Sequence, residues 1–128
     1  MEAAARDELN ELAKKVIGAV YEVSNELGAG FLEAVYERSL VKELALRGIK
    51  SRRQARVRVN YKGDPVGVYR TDVLVEEKLL VEIKCADGLS NKHLAQCLNY
   101  LKATDRTLCL LVNFQNPKVE WKRVVFNF

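Results

Sequence analysis

The sequence predicts an α/β fold, a mixed β-sheet with helices packed on it. Three observations predict it. Apolar residues recur at three- and four-residue steps through the first third of the chain. The period then drops to two, and a short helical stripe returns between two strand-like apolar runs. The element order is α-α-β-β-β-α-β-β.

The first helix covers residues 7–27, with Leu9, Leu12, Ala13, Val16, Ile17, Val20, Val23 and Leu27 as its buried stripe. Asp7 is its expected N-cap and Gly28 its stop. Gly28-Ala29-Gly30 breaks the chain before a second helix at residues 32–47, which Gly48 ends. In residues 55–61, Val57, Val59 and Tyr61 fall on one face, with Arg56, Arg58 and Asn60 on the other. This is a half-buried strand with a basic outer face. Lys62-Gly63-Asp64-Pro65 is turn chemistry leading to a second strand at residues 66–75. Glu76-Glu77-Lys78 is a polar hairpin loop before a third strand at residues 79–85. Ser90 caps a third helix at residues 91–103, whose core stripe is Leu94, Cys97, Leu98 and Leu101. Residues 107–114 are nearly all apolar, so that strand is expected to be buried on both faces. Pro117 separates it from a last strand at residues 119–126.

The 128 residues fit one domain, residues 1–128, since most domains hold roughly 100–150 residues. A 48% apolar fraction supplies a globular core and argues against disorder. Three cysteines without close spacing argue against a disulfide framework or a thiolate zinc site, and for a reducing, cytoplasmic location. One histidine cannot build a multi-histidine metal site, so any metal is expected on carboxylates. No apolar run approaches the ~20 residues of a spanning helix, so no membrane role is expected. The first residues carry an early acid and do not look like a secretion signal.

The net charge is only +4, from 21 Lys+Arg against 17 Asp+Glu, but it is unevenly placed. Residues 47–58 hold Arg47, Lys50, Arg52, Arg53, Arg56 and Arg58 and no acid. Such a run is either a solvated, solubilising face or the electrostatic footprint of a polyanion.

The third strand carries the sharpest local signal. Leu79, Val81, Ile83 and Cys85 share one face, while Glu82 and Lys84 follow Leu80 on the other. With a three-residue loop, Val75 pairs with Leu79 and Leu74 with Leu80, which carries Asp72 opposite Glu82 and Arg70 opposite Lys84. Facing carboxylates repel unless one is protonated or a cation lies between them, and a hard divalent cation is the natural resolution. On the second helix, Glu33 shares a stripe with Tyr36, Leu40 and Leu44. It is either a core-facing carboxylate in need of a partner or an N-terminal acid that offsets the helix dipole. His93, Gln96 and Tyr100 line a polar face of the third helix, where Gln and Tyr could orient a phosphate or brace an acid.

Taken together, these residues resemble the PD-(D/E)XK nuclease superfamily, and more closely its small stand-alone GxxExxY family. The naming motif reads Gly30-Phe31-Leu32-Glu33-Ala34-Val35-Tyr36. The nuclease motif reads Asp72, nine intervening residues, then Glu82-Ile83-Lys84, and the residue before Asp72 is Thr71 where many members have proline. A Gln-x-x-x-Tyr element of RecB-like branches appears as Gln96-Cys97-Leu98-Asn99-Tyr100. The resemblance runs from about Leu12 to the C-terminus.

It implies a restriction-endonuclease-like core and metal-assisted phosphodiester hydrolysis. Asp72, Glu82 and the Ile83 carbonyl would hold Mg²⁺ or Mn²⁺, with Glu33 in support. Lys84 would position or help deprotonate a water, and Gln96 and Tyr100 would orient the phosphate or the site. The basic run would hold the nucleic-acid backbone, in DNA rather than RNA. Small nucleases of this type commonly act as dimers, so a homodimer is implied by analogy. Two other readings stand beside the nuclease. One is a catalytically silent nucleic-acid-binding module. The other is a protein-interaction subunit with a nuclease-like fold.

Overall fold

The computed structural model describes residues 1–128 and contains eight elements in the expected order. They are α1 (Ala3–Leu27), α2 (Glu33–Leu46), β1 (Ser51–Tyr61), β2 (Asp64–Val75), β3 (Leu79–Lys84), α3 (Asn91–Thr104), β4 (Leu108–Asn113) and β5 (Glu120–Val125). The five strands form one sheet in sequence order. β3 and β4 are parallel, and α3 makes the crossover between them; the other neighbours are antiparallel. No helix is long and apolar enough to cross a membrane.

Two separate cores cover the two faces. Twenty buried residues join α1 and α2 to one face, through Val16, Val20, Leu40, Val73, Val81, Ile83, Leu110 and their neighbours. Eight join α3 to the other, through Ala55, Val57, Leu74, Leu80, Cys97, Leu101, Cys109 and Leu111. Alternate side chains of β3 and β4 therefore go to different cores, and every residue of β4 is buried. Burying both faces is what turns its sequence into a continuous apolar run.

Several boundaries differ from the expected ones. α1 begins four residues before Asp7, and Glu2 at its N-cap makes no side-chain cap. Ser90 does cap α3, in a reciprocal pair with His93, which accounts for the single histidine. β1 starts at Ser51 rather than residue 55, because Ser51 already pairs with Val75. The β1–β2 connection is tighter than the four-residue turn expected: Tyr61 pairs with Asp64, leaving Lys62 (φ 49°) and Gly63 (φ 88°) as a two-residue turn. Positive φ at both centres is the geometry that suits a hairpin's twist, and Gly63 adopts it without strain. The expected apolar face of β1 is also shorter. Val57 is buried, but Tyr61 is 62% exposed.

Candidate functional site

The β2–β3 hairpin has the register that its loop length predicts. Val75 pairs with Leu79, Leu74 with Leu80 and Val73 with Val81. The ladder then stops, one residue short of the expected Asp72–Glu82 pair. The cause is a local inversion of both β1 and β2. Arg53 and its partner Val73 face α2, whereas Ala55 and its partner Thr71 face α3. A regular strand would keep each pair of alternate residues on one face. The inversion is centred on Gln54, with φ at 49°, and on Asp72, neither of which joins the ladder.

Its effect is to turn Asp72 towards the gap between the strands. There the Asp72 Oδ2 accepts the Ile83 backbone N–H at 2.8 Å, and Gln54 Nε2 approaches Oδ1 at 3.4 Å. The same inversion brings Tyr69 and Thr71 to the α3 side beside Glu82. Both hydroxyls donate to Glu82 Oε1, that of Thr71 at 3.0 Å. Tyr69 also stacks on Tyr100 of α3, with ring centroids 3.8 Å apart. Arg70 consequently lies away from Lys84 and is exposed, which corrects the expected Arg70–Lys84 pair.

The electrostatics follow from this packing. Glu82 is 4% exposed. Burial, and then the charge of neighbouring Asp72, push its carboxyl from the ordinary 4.5 up to about 8; the two hydroxyl donors only partly oppose this. Burial and Glu82 likewise hold the Tyr69 phenol well above its ordinary range. Tyr100 is raised by partial burial and then by Glu82, so the α3 tyrosine belongs to this group. Lys84 is half-buried on the α3 side and makes no ion pair.

The remaining expected residues divide. Glu33 is exposed at the first position of α2 and bonds to neither carboxylate, so it is the dipole-offsetting acid and not a core-facing one. The buried acid of α2 is Glu37, one turn later and 4% exposed. It accepts from Arg53 at 3.2 Å and from Gln54 at 3.0 Å, and Gln54 also reaches Asp72. Gln96 is exposed and its side chain has no hydrogen-bond partner, whereas Tyr100 is half-buried and stacks on Tyr69. Tyr36 of the Gly30–Tyr36 motif has a structural role. It donates to the Gly28 carbonyl at 2.6 Å, accepts from the Phe31 N–H and stacks on Phe114. It thereby ties down the glycine loop at the start of α2.

The basic run does not form one face. Arg47 pairs with Glu43, Arg52 binds Glu77 through two nitrogens, and Arg53 pairs with Glu37. Lys50 is exposed, and its backbone N–H donates to Glu76. Arg56 and Arg58 are exposed without an acid partner, as is Arg70, which lies directly across from Arg56. Tyr69, Thr71, Gln54 and Glu37 were missed by sequence reasoning. A hydroxyl pair flanking an Arg beside an Asp was the available signal for the first two.

A family model described as PD-(D/E)XK nuclease superfamily matches residues 10–124. No curated protein matches the chain. Among solved structures the chain is similar to one described as "Crystal structure of SSO0001", at 16% identity and a TM-score of 0.47. That match covers 88% of this chain and 66% of the other, so this chain spans just under two thirds of the other's length.

Proposed function

The chain belongs to the PD-(D/E)XK nuclease superfamily, and from that premise we propose that it is a divalent-metal-dependent nuclease acting on DNA. The observation that carries this reading is the meeting of Asp72 and Glu82 across the gap where β2 and β3 part, with Ile83 between them. The family's α/β core with a mixed sheet is present throughout.

The donor set fits a hard cation. Glu82 Oε1 is occupied by two hydroxyls, and the carboxyl also lies against that of Asp72. In an extended strand the N–H and C=O of one residue point to the same edge. The Ile83 carbonyl therefore faces the gap, since its N–H meets Asp72 there. No group of three or more His, Cys, Asp or Glu is gathered. Mg²⁺ nevertheless often binds through one or two carboxylates, with water and substrate phosphate completing its shell. Asp72, Glu82 and the Ile83 carbonyl would hold it, and Mn²⁺ would serve equally. When bound, the metal would polarise a phosphate oxygen and lower the pKa of a water.

The chain's own residues do the rest. The hydroxyls of Tyr69 and Thr71 fix the orientation of Glu82. Lys84, not tied into an ion pair, orients the attacking water or balances charge developing on the phosphate. Tyr100 supports Tyr69 by stacking. Glu37 holds Gln54, and through it Asp72, so we assign the α2 acid's supporting role to Glu37 in place of Glu33. We also place the chain in the GxxExxY branch on its Gly30–Glu33–Tyr36 spacing, and read residues 1–128 as one nuclease domain. A cytoplasmic location and a homodimer are further parts of this reading. The first rests on the cysteine count and the second on analogy.

Cleavage of plasmid and branched DNA with Mg²⁺ or Mn²⁺ tests it. Activity should vanish in Asp72→Ala and in Lys84→Ala, with the circular-dichroism spectrum unchanged. Equal activity in all three proteins would overturn it. One observation favours a second reading, a binding module without turnover. Burial and Asp72 push the Glu82 carboxyl up, against the ionised form that a metal requires. Salt-dependent DNA binding that persists in Asp72→Ala, with no cleavage in any metal, would select that reading.

A further inference from the structure

The outer β1–β2 hairpin gives the site only the inward-facing Tyr69 and Thr71, and its opposite face is not used there. β3 pairs with β2 only from Val73 to Val75, so β2 from Asp64 to Thr71 has β1 as its sole strand partner. The hairpin thus leaves the sheet as a two-stranded ribbon. Seven residues of β1, from Ala55 to Tyr61, span roughly 20 Å. Such ribbons are marginal on their own, and this one buries only Ala55, Val57 and Thr71, all near its base.

Its surface is strongly one-signed. Between Ser51 and Thr71 there are six basic residues and one acid, Asp64. Ala55 and Val57 face α3, so Arg56, Arg58, Arg70 and Val68 alternate onto the opposite face. All four are exposed, and none of the three arginines has an acid partner. Arg56 sits directly across from Arg70, an arrangement that repels in the free protein. Val68, 62% exposed, lies directly across from Arg58. Arg70 is also only two residues from Asp72 on the same strand, so the ribbon joins the sheet at the edge of the site.

We infer that this ribbon docks into the major groove of double-stranded DNA, making the duplex the substrate of the Asp72–Glu82 site. The inference rests on the nuclease reading and adds the substrate's form and the element that holds it. A two-stranded ribbon fits the major groove of B-form DNA, about 12 Å wide, whereas the deep, narrow groove of A-form RNA does not admit one. Arg56, Arg58 and Arg70 neutralise phosphates of the groove walls, which relieves their mutual repulsion. Val68 meets apolar base edges such as the thymine methyl.

The test is fluorescence anisotropy in EDTA, where cleavage plays no part, with one sequence offered as duplex DNA, single-stranded DNA and duplex RNA. The expected order has duplex DNA bound most tightly. The triple variant Arg56→Gln/Arg58→Gln/Arg70→Gln should bind it more weakly, with the slope of log K against log salt reduced by about 0.9 for each phosphate that is no longer neutralised. Val68→Ser should weaken duplex DNA binding without changing that slope. Equal binding by the triple variant, a preference for single strands or duplex RNA, or self-association through the ribbon in place of DNA binding would each overturn it. Duplex binding by the ribbon together with no cleavage in any metal would overturn the nuclease reading, and with it the duplex as substrate, and leave the ribbon as the element that holds DNA.

Discussion

Asp72 accepts the backbone N–H of Ile83 at 2.8 Å, across the point where β2 and β3 cease to pair. One carboxylate thereby takes the place of a backbone carbonyl in the ladder. It closes the end of the hairpin and still offers its other oxygen to a cation. Asp72→Asn keeps an acceptor oxygen for Ile83 and removes the charge. Stability should be nearly unchanged while cleavage falls by more than the roughly 10–100-fold typical of supporting residues. Thermal melts and single-turnover cleavage measure the two effects separately.

The Glu82 carboxyl sets a pH dependence whose sign is determined. Its folded pKa, about 8, lies above the ordinary 4.5, so the metal-free folded chain binds more protons than the unfolded chain between those values. The contribution of Glu82 to stability is therefore full below pH 4.5 and is lost progressively as pH rises through 8. At 1.36 kcal/mol per pK unit the loss is on the order of 3–5 kcal/mol for this buried group. Metal binding needs the ionised form and releases a proton, so Mg²⁺ should raise the melting temperature more at about pH 9 than at about pH 6. A larger Mg²⁺ effect on the acid side would contradict the assignment of Glu82 as a ligand.

Tyr69 holds Glu82 through its hydroxyl and Tyr100 through its ring. Tyr69→Phe keeps the stacking and deletes the donor. Metal affinity or cleavage should fall about 10–100-fold, the range for residues that orient a ligand. Isothermal titration with Mn²⁺, alongside cleavage rates, checks this. Tyr100→Phe should cost much less, because its hydroxyl makes no hydrogen bond to the carboxylates.

Two acids of α2 should behave differently. Glu37→Gln strips Arg53 of its charged partner and loosens Gln54, and should destabilise the fold by about 1–3 kcal/mol. Glu33→Gln lies at an exposed helix start and should change stability by no more than about 0.5 kcal/mol. Urea midpoints at constant m-value measure both. A larger loss of cleavage in Glu33→Gln than in Glu37→Gln would restore the sequence-based assignment.

Much of this architecture was legible in the sequence, for reasons visible at single residues. The loop Glu76-Glu77-Lys78 fixed the hairpin register, and Ser90 announced α3 because its side chain caps the helix. The inversion at Gln54 and Asp72 was not legible. Glutamine rarely adopts positive φ and gives no signal of it, so a strict two-residue period was carried one step too far. Glu33 and Glu37 stand one turn apart on the same stripe, and periodicity alone cannot say which one lies under the sheet. The partners of Arg52 and Arg53 are 25 and 16 residues away, so an acid-free stretch of sequence was not an acid-free surface.

The unequal cores on the two faces of the sheet have a dynamic consequence. α3 is held by the eight-residue cluster, while α1 and α2 share the twenty-residue one. Glu82, Tyr69 and Tyr100 all lie on the thinner side. Local opening should begin there, so α3 amides should exchange with solvent hydrogen sooner than those of α1 or β4. The wall of the site nearest Glu82 is then the part of the protein that yields first, and a bulky polymer can be admitted without disturbing the larger core.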